Sequence, residues 1–305
     1  MTIEMIPFEA DRLLDWTALG DAILAGHKMA KAEIGDTFLY RGDDTMLSRA
    51  AWIDGMGSAV KTANIMPGNP GRGEPLVHGA VNLYDDIDGS LQAIVDFHLV
   101  TKWKTAGDSV LGARLLARPD SKVVLIVGAG TVARSLREAY GATFPDARFL
   151  VWNRSPEGAE RMAAGYKDTE AVADLAKAVA QADIVTSATM SSEPVLRGEW
   201  LRPGQHIDLI GAYRPDMREA DDTVLQRARL FMDSRATVLD HIGEFKDPIA
   251  RGVIRREDVQ GDLYDVAAGD FHRQSDDEIT LYKNGGGAHL DLMTSRYILD
   301  AWRDR

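Results

Sequence analysis

The run KVVLIVGAGTVARSL, from Lys122 to Leu136, constrains the fold of this chain more than any other stretch. Val123 to Val127 are uninterrupted apolar residues, as in a strand covered on both faces; a half-exposed strand would alternate. The strand ends in Gly128-Ala129-Gly130-Thr131-Val132-Ala133, a G-x-G-x-x-A pattern, and TVARSLREAYGATF continues as a helix. Gly128 permits a sharp turn, Gly130 admits a pyrophosphate close to the backbone, and Ala133 is small enough for tight helix–strand contact. The backbone N–H groups of Thr131 and Val132 open the helix, where free donors and the helix dipole favour an anion. Strand, loop, helix and next strand follow in the order that a dinucleotide-binding unit needs, so the loop is expected to hold one.

The same texture repeats downstream. ARFLVWN, ADIVTSAT, GQHIDLIGA and ARLFMD read as strands, and SPEGAERMAAGY and AVADLAKAVAQ as helices. Such alternation means a parallel sheet with helices on both faces, an α/β fold of the Rossmann-type doubly wound class. Ahead of the break at Pro119-Asp120-Ser121 the pattern differs. A helical start from Ala10 to Glu33 gives way to strand-like FLYRG, AVKTANI, HGAVNLYD and LQAIVD. Asp88-Gly89-Ser90 is a turn signal that makes AVNLYDDIDGSLQAIVD a hairpin. Thr105 to Ala117 is helical, with Val110, Leu111, Leu115 and Leu116 on one stripe. After about Asp270, EITLYKNGGGAHLDLMTSRYILDAW begins as a strand and ends as an amphipathic helix able to pack back on the first part. The expected organisation is a Rossmann-type domain over 118–284 and a second, α+β domain built from both chain ends, 1–117 and 285–305.

The end of the second strand bears on which dinucleotide is held. NAD sites of this type usually place an acid there for the ribose 2′-hydroxyl. This chain has Asn153-Arg154-Ser155 instead. Arg154 can pair with a 2′-phosphate and stack on adenine, while Asn153 and Ser155 can donate hydrogen bonds. NADPH is therefore expected as the cofactor, with NADH possible.

Composition removes other classes. The 305 residues are 45% hydrophobic with a net charge of -12, which works against nucleic acid or anionic membranes as partners. With no cysteine, thiolate catalysis and cysteine-bound metal are out, and no His/Asp/Glu spacing suggests a metal. No apolar stretch is long enough to span a bilayer. The start MTIEMIPFEADRLLDW is acidic and lacks an apolar run, so no signal peptide is expected and the location is expected to be cytoplasmic.

Several motifs together resemble the ornithine cyclodeaminase/mu-crystallin family: TKWKTAGDSVLGARLLA, VVLIVGAGTVA, VWNRS, SSEPVLRGEWLRPGQHIDLIGAYRPDMREADD and FMDS. The resemblance covers nearly the whole chain. It implies a substrate and dimerisation role for the domain built from both ends, a homodimer, and nicotinamide chemistry on small amino or imino acids. Lys61, in GSAVKTANIMPGN, matches the family lysine that contacts the substrate carboxylate, and Arg41 lies in the region of an upstream carboxylate-binding arginine. Lys104 stands where the family commonly has arginine, keeping the charge but losing the planar fork. Ser187, Ala188, Thr189 and Met190 follow the IVT strand, where the nicotinamide would rest, and Asn284 with Gly285 resembles the segment lying against it.

Tyr213 occupies the position at which cyclodeaminases of the family carry an aspartate. A phenol is a poor base at neutral pH, so ornithine cyclisation is disfavoured and imine reduction favoured. The expected reaction is NAD(P)H-dependent reduction of a cyclic imino acid, Δ1-pyrroline-2-carboxylate to L-proline or the six-membered homologue to L-pipecolate. Lys61, Lys104 and Arg41 would hold the carboxylate; His78, Asp291 and Tyr213 are candidates for proton relay. Alternatives are an open-chain enzyme such as alanine dehydrogenase or iminosuccinate reductase, ornithine cyclodeaminase, and a binding protein that keeps its dinucleotide without turnover. Arg218 and Glu219 read as an ion-paired helix start, and the following ADDT as a solvated cap.

Overall fold

The computed structural model describes residues 3–305 and divides into two compact units, one reaching to Lys104 together with Gly287–Arg305, the other Thr105–Gly286. In the first unit a short strand β1 (Glu4–Ile6) precedes helix α1 (Trp16–His27), which Asp15 caps by accepting a hydrogen bond from the Ala18 N–H at 2.9 Å. The helical start expected from Ala10 to Glu33 is thus shorter, and Glu33 already begins a strand.

Strands β2 (Glu33–Arg41), β3 (Asp44–Ile53), β4 (Gly57–Ile65), β5 (Val77–Tyr84) and β6 (Leu91–Asp96) form an antiparallel meander. With β1 added parallel to β6, the six-stranded sheet has the order β1-β6-β5-β4-β3-β2. The hairpin expected around Asp88-Gly89-Ser90 is the β5–β6 pair. Helix α2 (Phe97–Leu116) begins eight residues before the expected Thr105, because Asp96 turns β6 directly into it: the Leu99 N–H donates to Asp96 Oδ1 at 2.8 Å. TKWK therefore lies on a helix, and the division between the units falls inside α2.

The second unit holds eight parallel strands in the order β13-β12-β14-β11-β10-β7-β8-β9. In chain order these are β7 (Val123–Val127), α3 (Thr131–Thr143), β8 (Arg148–Trp152), α4 (Pro156–Ala163), β9 (Thr169–Ala171), α5 (Leu175–Gln181) and β10 (Ile184–Ser187). Then follow β11 (His206–Leu209), α6 (Asp222–Arg227), β12 (Arg229–Met232), α7 (Arg235–Val238), α8 (Gly243–Ala250), β13 (Val259–Asp262) and β14 (Thr280–Lys283). Leu125, Ile126, Val185, Ile207 and Leu281 are fully buried, as central strands covered on both faces require. The chain runs outward from β7 to β9 and then returns to β10 beside β7. That reversal opens a crevice at the carboxyl ends of β7 and β10, where such sheets bind ligands.

Helix α9 (Ala288–Arg303) belongs to the first unit, packed on β3 and β4 and against α1. Among the described residues no helix is long and apolar enough to cross a membrane.

Candidate functional site

At the tip of β7, Gly128 has φ +114°, a left-handed conformation that strains any side chain, and a Cβ there would lie 2.8 Å from the Ala188 carbonyl oxygen. Glycine is thus required twice over, by conformation and by the close approach of the loop after β10. Gly130 caps α3, and a Cβ added to it would meet no atom within 4 Å. The space over the helix N-terminus is open, so the loop fits a pyrophosphate. The same cleft is lined by Asn153 and Arg154 from the end of β8, and by Ala188, Thr189 and Met190 after β10. Arg154 and Met190 are exposed at the cleft. The residues expected to hold a dinucleotide from these three loops therefore meet in one place.

Other expected cofactor contacts stand differently. Asn153 directs its amide to its own loop, donating to the Ser155 carbonyl at 2.9 Å and to Ser155 Oγ at 3.0 Å. Thr131 and Val132 open α3, next to the lining. Ser187 is fully buried and turns its hydroxyl inward to Glu219 Oε1 at 2.7 Å, so it does not line the cleft. Asn284 is buried, and its amide donates to the Thr105 carbonyl and to Ser109 Oγ, both at 2.9 Å. Tyr213 is 55% exposed with the Arg214 guanidinium 5.6 Å from its ring, and it lies outside the lining.

The second group of expected residues lies in the first unit. Lys61, on β4, is buried, and its Nζ donates to Asp291 Oδ1 on α9 at 2.9 Å. The ammonium also lies 4.8 Å from the Phe97 ring centre, a cation–π contact that fixes it further. Lys104 is buried close enough for its charge to act on both Lys61 and Asp291. Burial pushes the Lys61 amine down; Asp291 opposes that, while Lys104 and Arg49 add to it. For Asp291 burial pushes up, but Lys61, Lys104 and Arg49 together hold the carboxyl below its ordinary value. The two side chains thus form a buried ion pair, each group's charge favouring that of the other. Asp291 Oδ2 is buried with no hydrogen-bond donor among the described residues.

Arg41 and His78 do not join this cluster. Side chains alternate across a strand, and pairing register carries that parity from one strand to the next. Lys61 pairs with Arg49 and with Val81, whereas Arg41 pairs with Asp44 and His78 with Asn64. Asp44 is an odd number of residues from Arg49, and His78 from Val81, so both side chains belong to the opposite face. Arg41 is also roughly 17 Å along the strands from Lys61 at the usual rise per residue. Its side chain is 80% exposed and paired with Asp44 at 2.8 Å.

The arginine beside Lys61 is Arg49, which no sequence motif singles out. Its guanidinium is held by Asp36 on β2, with Nη2 to Oδ2 at 2.7 Å. His289, two residues before Asp291 on α9, is a further buried group that no sequence motif singles out. Burial, together with the neighbouring His27 and Lys104, pushes it down to about 3, so it is a neutral imidazole. The positive charge here resides on Lys61, Lys104 and Arg49.

Arg218 and Glu219 are not paired with each other. Arg218 binds Asp222 and Asp247, while Glu219 is fully buried and accepts hydrogen bonds from two loops. The ion-paired helix start expected there holds for Arg218, which pairs with Asp222 at the start of α6, but not for Glu219, which anchors a buried network.

The family model for the ornithine cyclodeaminase/mu-crystallin family matches residues 49–305. The Δ1-pyrroline-2-carboxylate reductase of Paracoccus denitrificans is 55% identical over 296 residues, covering 95% of this chain and 94% of that protein. Among solved structures, Thermococcus litoralis Δ1-pyrroline-2-carboxylate reductase in complex with NADH and L-proline superposes with a TM-score of 0.89 at 26% identity, covering 99% of this chain and 98% of that one. An archaeal alanine dehydrogenase dimer with bound NAD also reaches 0.89, at 25% identity, over 100% and 97% of the two chains. With its glycine loop at the sheet reversal and a family match over most of its length, the chain belongs to the ornithine cyclodeaminase/mu-crystallin family.

Proposed function

We propose that this chain is an NAD(P)H-dependent imine reductase that converts Δ1-pyrroline-2-carboxylate to L-proline. The observation that carries the reading is the cluster around Asp291. Lys61, Lys104 and Arg49 supply three positive charges, and Asp291 and Asp36 two negative ones, leaving one positive charge for one substrate carboxylate. A cyclic imino acid carries that carboxylate next to its C=N carbon. The Paracoccus reductase at 55% identity and the Thermococcus structure with L-proline support the same substrate class.

A reduced nicotinamide, when bound, supplies hydride to the imine carbon. The chain's own residues position and balance charge. Lys61, held by Asp291 and by the Phe97 ring, offers the carboxylate a fixed partner, and that fixed handle orients the ring. Lys104 and Arg49 complete the grip. Asp291, kept as a carboxylate by its three cationic neighbours, has Oδ2 available for the N–H of the protonated imine. The exposed Tyr213 and His78 take no part, and no base is needed to extract a proton from an amine.

The coenzyme is NADPH, with NADH accepted less well. Arg154 lines the cleft at the end of β8, where the chain has Asn153-Arg154-Ser155 and no acid to repel a 2′-phosphate. The enzyme works as a homodimer: β2 is an edge strand exposed along its whole length, with Phe38, Leu39 and Tyr40 uncovered, and a second copy of this chain covers it.

The test is steady-state oxidation of NADPH and of NADH against a panel of imines. Δ1-Pyrroline-2-carboxylate with NADPH should give the highest kcat/KM, at least about tenfold above pyruvate plus ammonia. Faster turnover with pyruvate plus ammonia would reassign the enzyme to open-chain substrates. Ornithine-dependent ammonia release without coenzyme turnover would make it a cyclodeaminase.

A further inference from the structure

Beneath the carboxyl ends of the central strands in the second unit lie four buried carboxylates, Asp208, Glu219, Asp233 and Glu244, and one buried amine, Lys283. Lys283 Nζ donates to the Leu209 and Asn284 carbonyls, each at 2.9 Å. Glu219 spans two loops. Its Oε1 accepts from Ser187 Oγ, the Thr189 N–H and Thr189 Oγ1, each at 2.7 Å. Its Oε2 accepts from the Gly211 N–H at 2.5 Å and the Ala212 N–H at 3.3 Å. Glu219 is itself anchored, since its N–H donates to Glu244 Oε2 at 2.7 Å and that of Ala220 to Glu244 Oε1 at 3.0 Å.

The loops are also in direct contact. A Cβ on Gly211 would run into the Thr189 backbone and lie 2.7 Å from Glu219 Oε1. Thr189 and its neighbours Ala188 and Met190 line the dinucleotide cleft. We propose that Glu219 is a positioning residue for the nicotinamide end of the coenzyme: its carboxylate ties the loop after β10 to the loop after β11 and so fixes the cleft wall formed by Ala188–Met190. This inference rests on the coenzyme reading above. A carboxylate is required because both oxygens accept and every partner is a donor. Glutamine would present an NH2 group to one of the two loops, leaving buried donors facing a donor.

The test compares NADPH with 2′-phospho-ADP-ribose, which lacks the nicotinamide, by titration of wild type and Glu219→Gln. Amide hydrogen exchange is followed in the coenzyme-free proteins. Glu219→Gln should weaken NADPH at least about tenfold, leave the truncated ligand within about twofold, and speed exchange at Thr189 and Gly211. Equal losses for both ligands would mean a merely structural role, and no loss for either would mean no role; each overturns the proposal. Should Glu219→Gln not fold, Thr189→Val removes one donor and keeps the carboxylate. It should weaken NADPH about threefold or more with the truncated ligand unchanged, and any other pattern overturns the proposal. Wild-type protein that bound neither ligand would overturn the coenzyme reading itself and the clamp with it, an outcome distinct from a failure of Glu219 alone.

Discussion

Arg154 is exposed at the rim of the dinucleotide cleft, and a 2′-phosphate there would gain a charge-assisted hydrogen bond of about 1.5–3 kcal/mol. Arg154→Ala should therefore weaken NADPH roughly 10- to 100-fold and leave NADH within about twofold, measured by fluorescence titration. Equal affinities for NADPH before and after substitution would show that the arginine does not see the phosphate. The place of Arg154 at the cleft was legible in the sequence because it follows the end of a strand in a short, ordered motif. Arg49 was not, although it is the arginine beside Lys61. Its relation to Lys61 comes from the register of the β3–β4 hairpin, and LSRAAW shows no sign of that pairing. Arg41, twenty positions ahead of Lys61, lies on the other face for the same reason. The burial of Glu219 was not legible, because DMREADD has the composition of an ion-paired helix start and only the packing of the neighbouring loops encloses it.

Helix α8 inserts Glu244 into the buried acidic layer, where burial and then the charge of Glu219 push it up to about 7. Asp208 and Asp233 are each pushed up to about 6, burial being the main cause. A carboxyl that holds its proton more tightly when folded loses stability as pH rises. Between pH 4.5 and about 7 the unfolded chain releases this proton first, so the folded state is progressively disfavoured, and above that window the cost is complete. For Glu244 the difference amounts to about 3 kcal/mol at roughly 1.4 kcal/mol per pH unit. Glu244→Gln removes the titration. The variant should be less stable than wild type at pH 5, since glutamine cannot accept both the Glu219 and Ala220 N–H bonds, but should narrow that gap or reverse it by pH 8. Chemical denaturation at the two pH values measures the gap, and a constant difference would contradict the assignment. Elements with strong periodicity, β7, α3, β8 and β10, were readable from sequence. The start of α2 was hidden because Asp96 serves as both strand end and cap, and Lys283 was hidden because an amine inside the apolar run TLYK is buried only by the network around it.

For the molecule as a whole, one expectation concerns a second chain and one the gathering of charge. The exposed edge β2, with Phe38, Leu39 and Tyr40 uncovered, predicts a dimer by sedimentation; Phe38→Asp should shift the boundary to monomer, and an unchanged dimer would place the interface elsewhere. The fold class was legible because strand–helix alternation is a long-range signal, and the family resemblance extends it to nearly the whole chain. The positive centre was legible only in part, since a net charge of -12 says nothing about three cations gathered around one carboxylate. Lys61→Met breaks up that gathering, and kinetics with Δ1-pyrroline-2-carboxylate read beside NADPH affinity show the consequence. Loss of a buried, hydrogen-bonded charge partner predicts a fall in kcat/KM of about 100-fold or more, with the dissociation constant for NADPH unchanged. A variant that reduced the imine as efficiently as wild type would contradict a carboxylate-binding role for these cations.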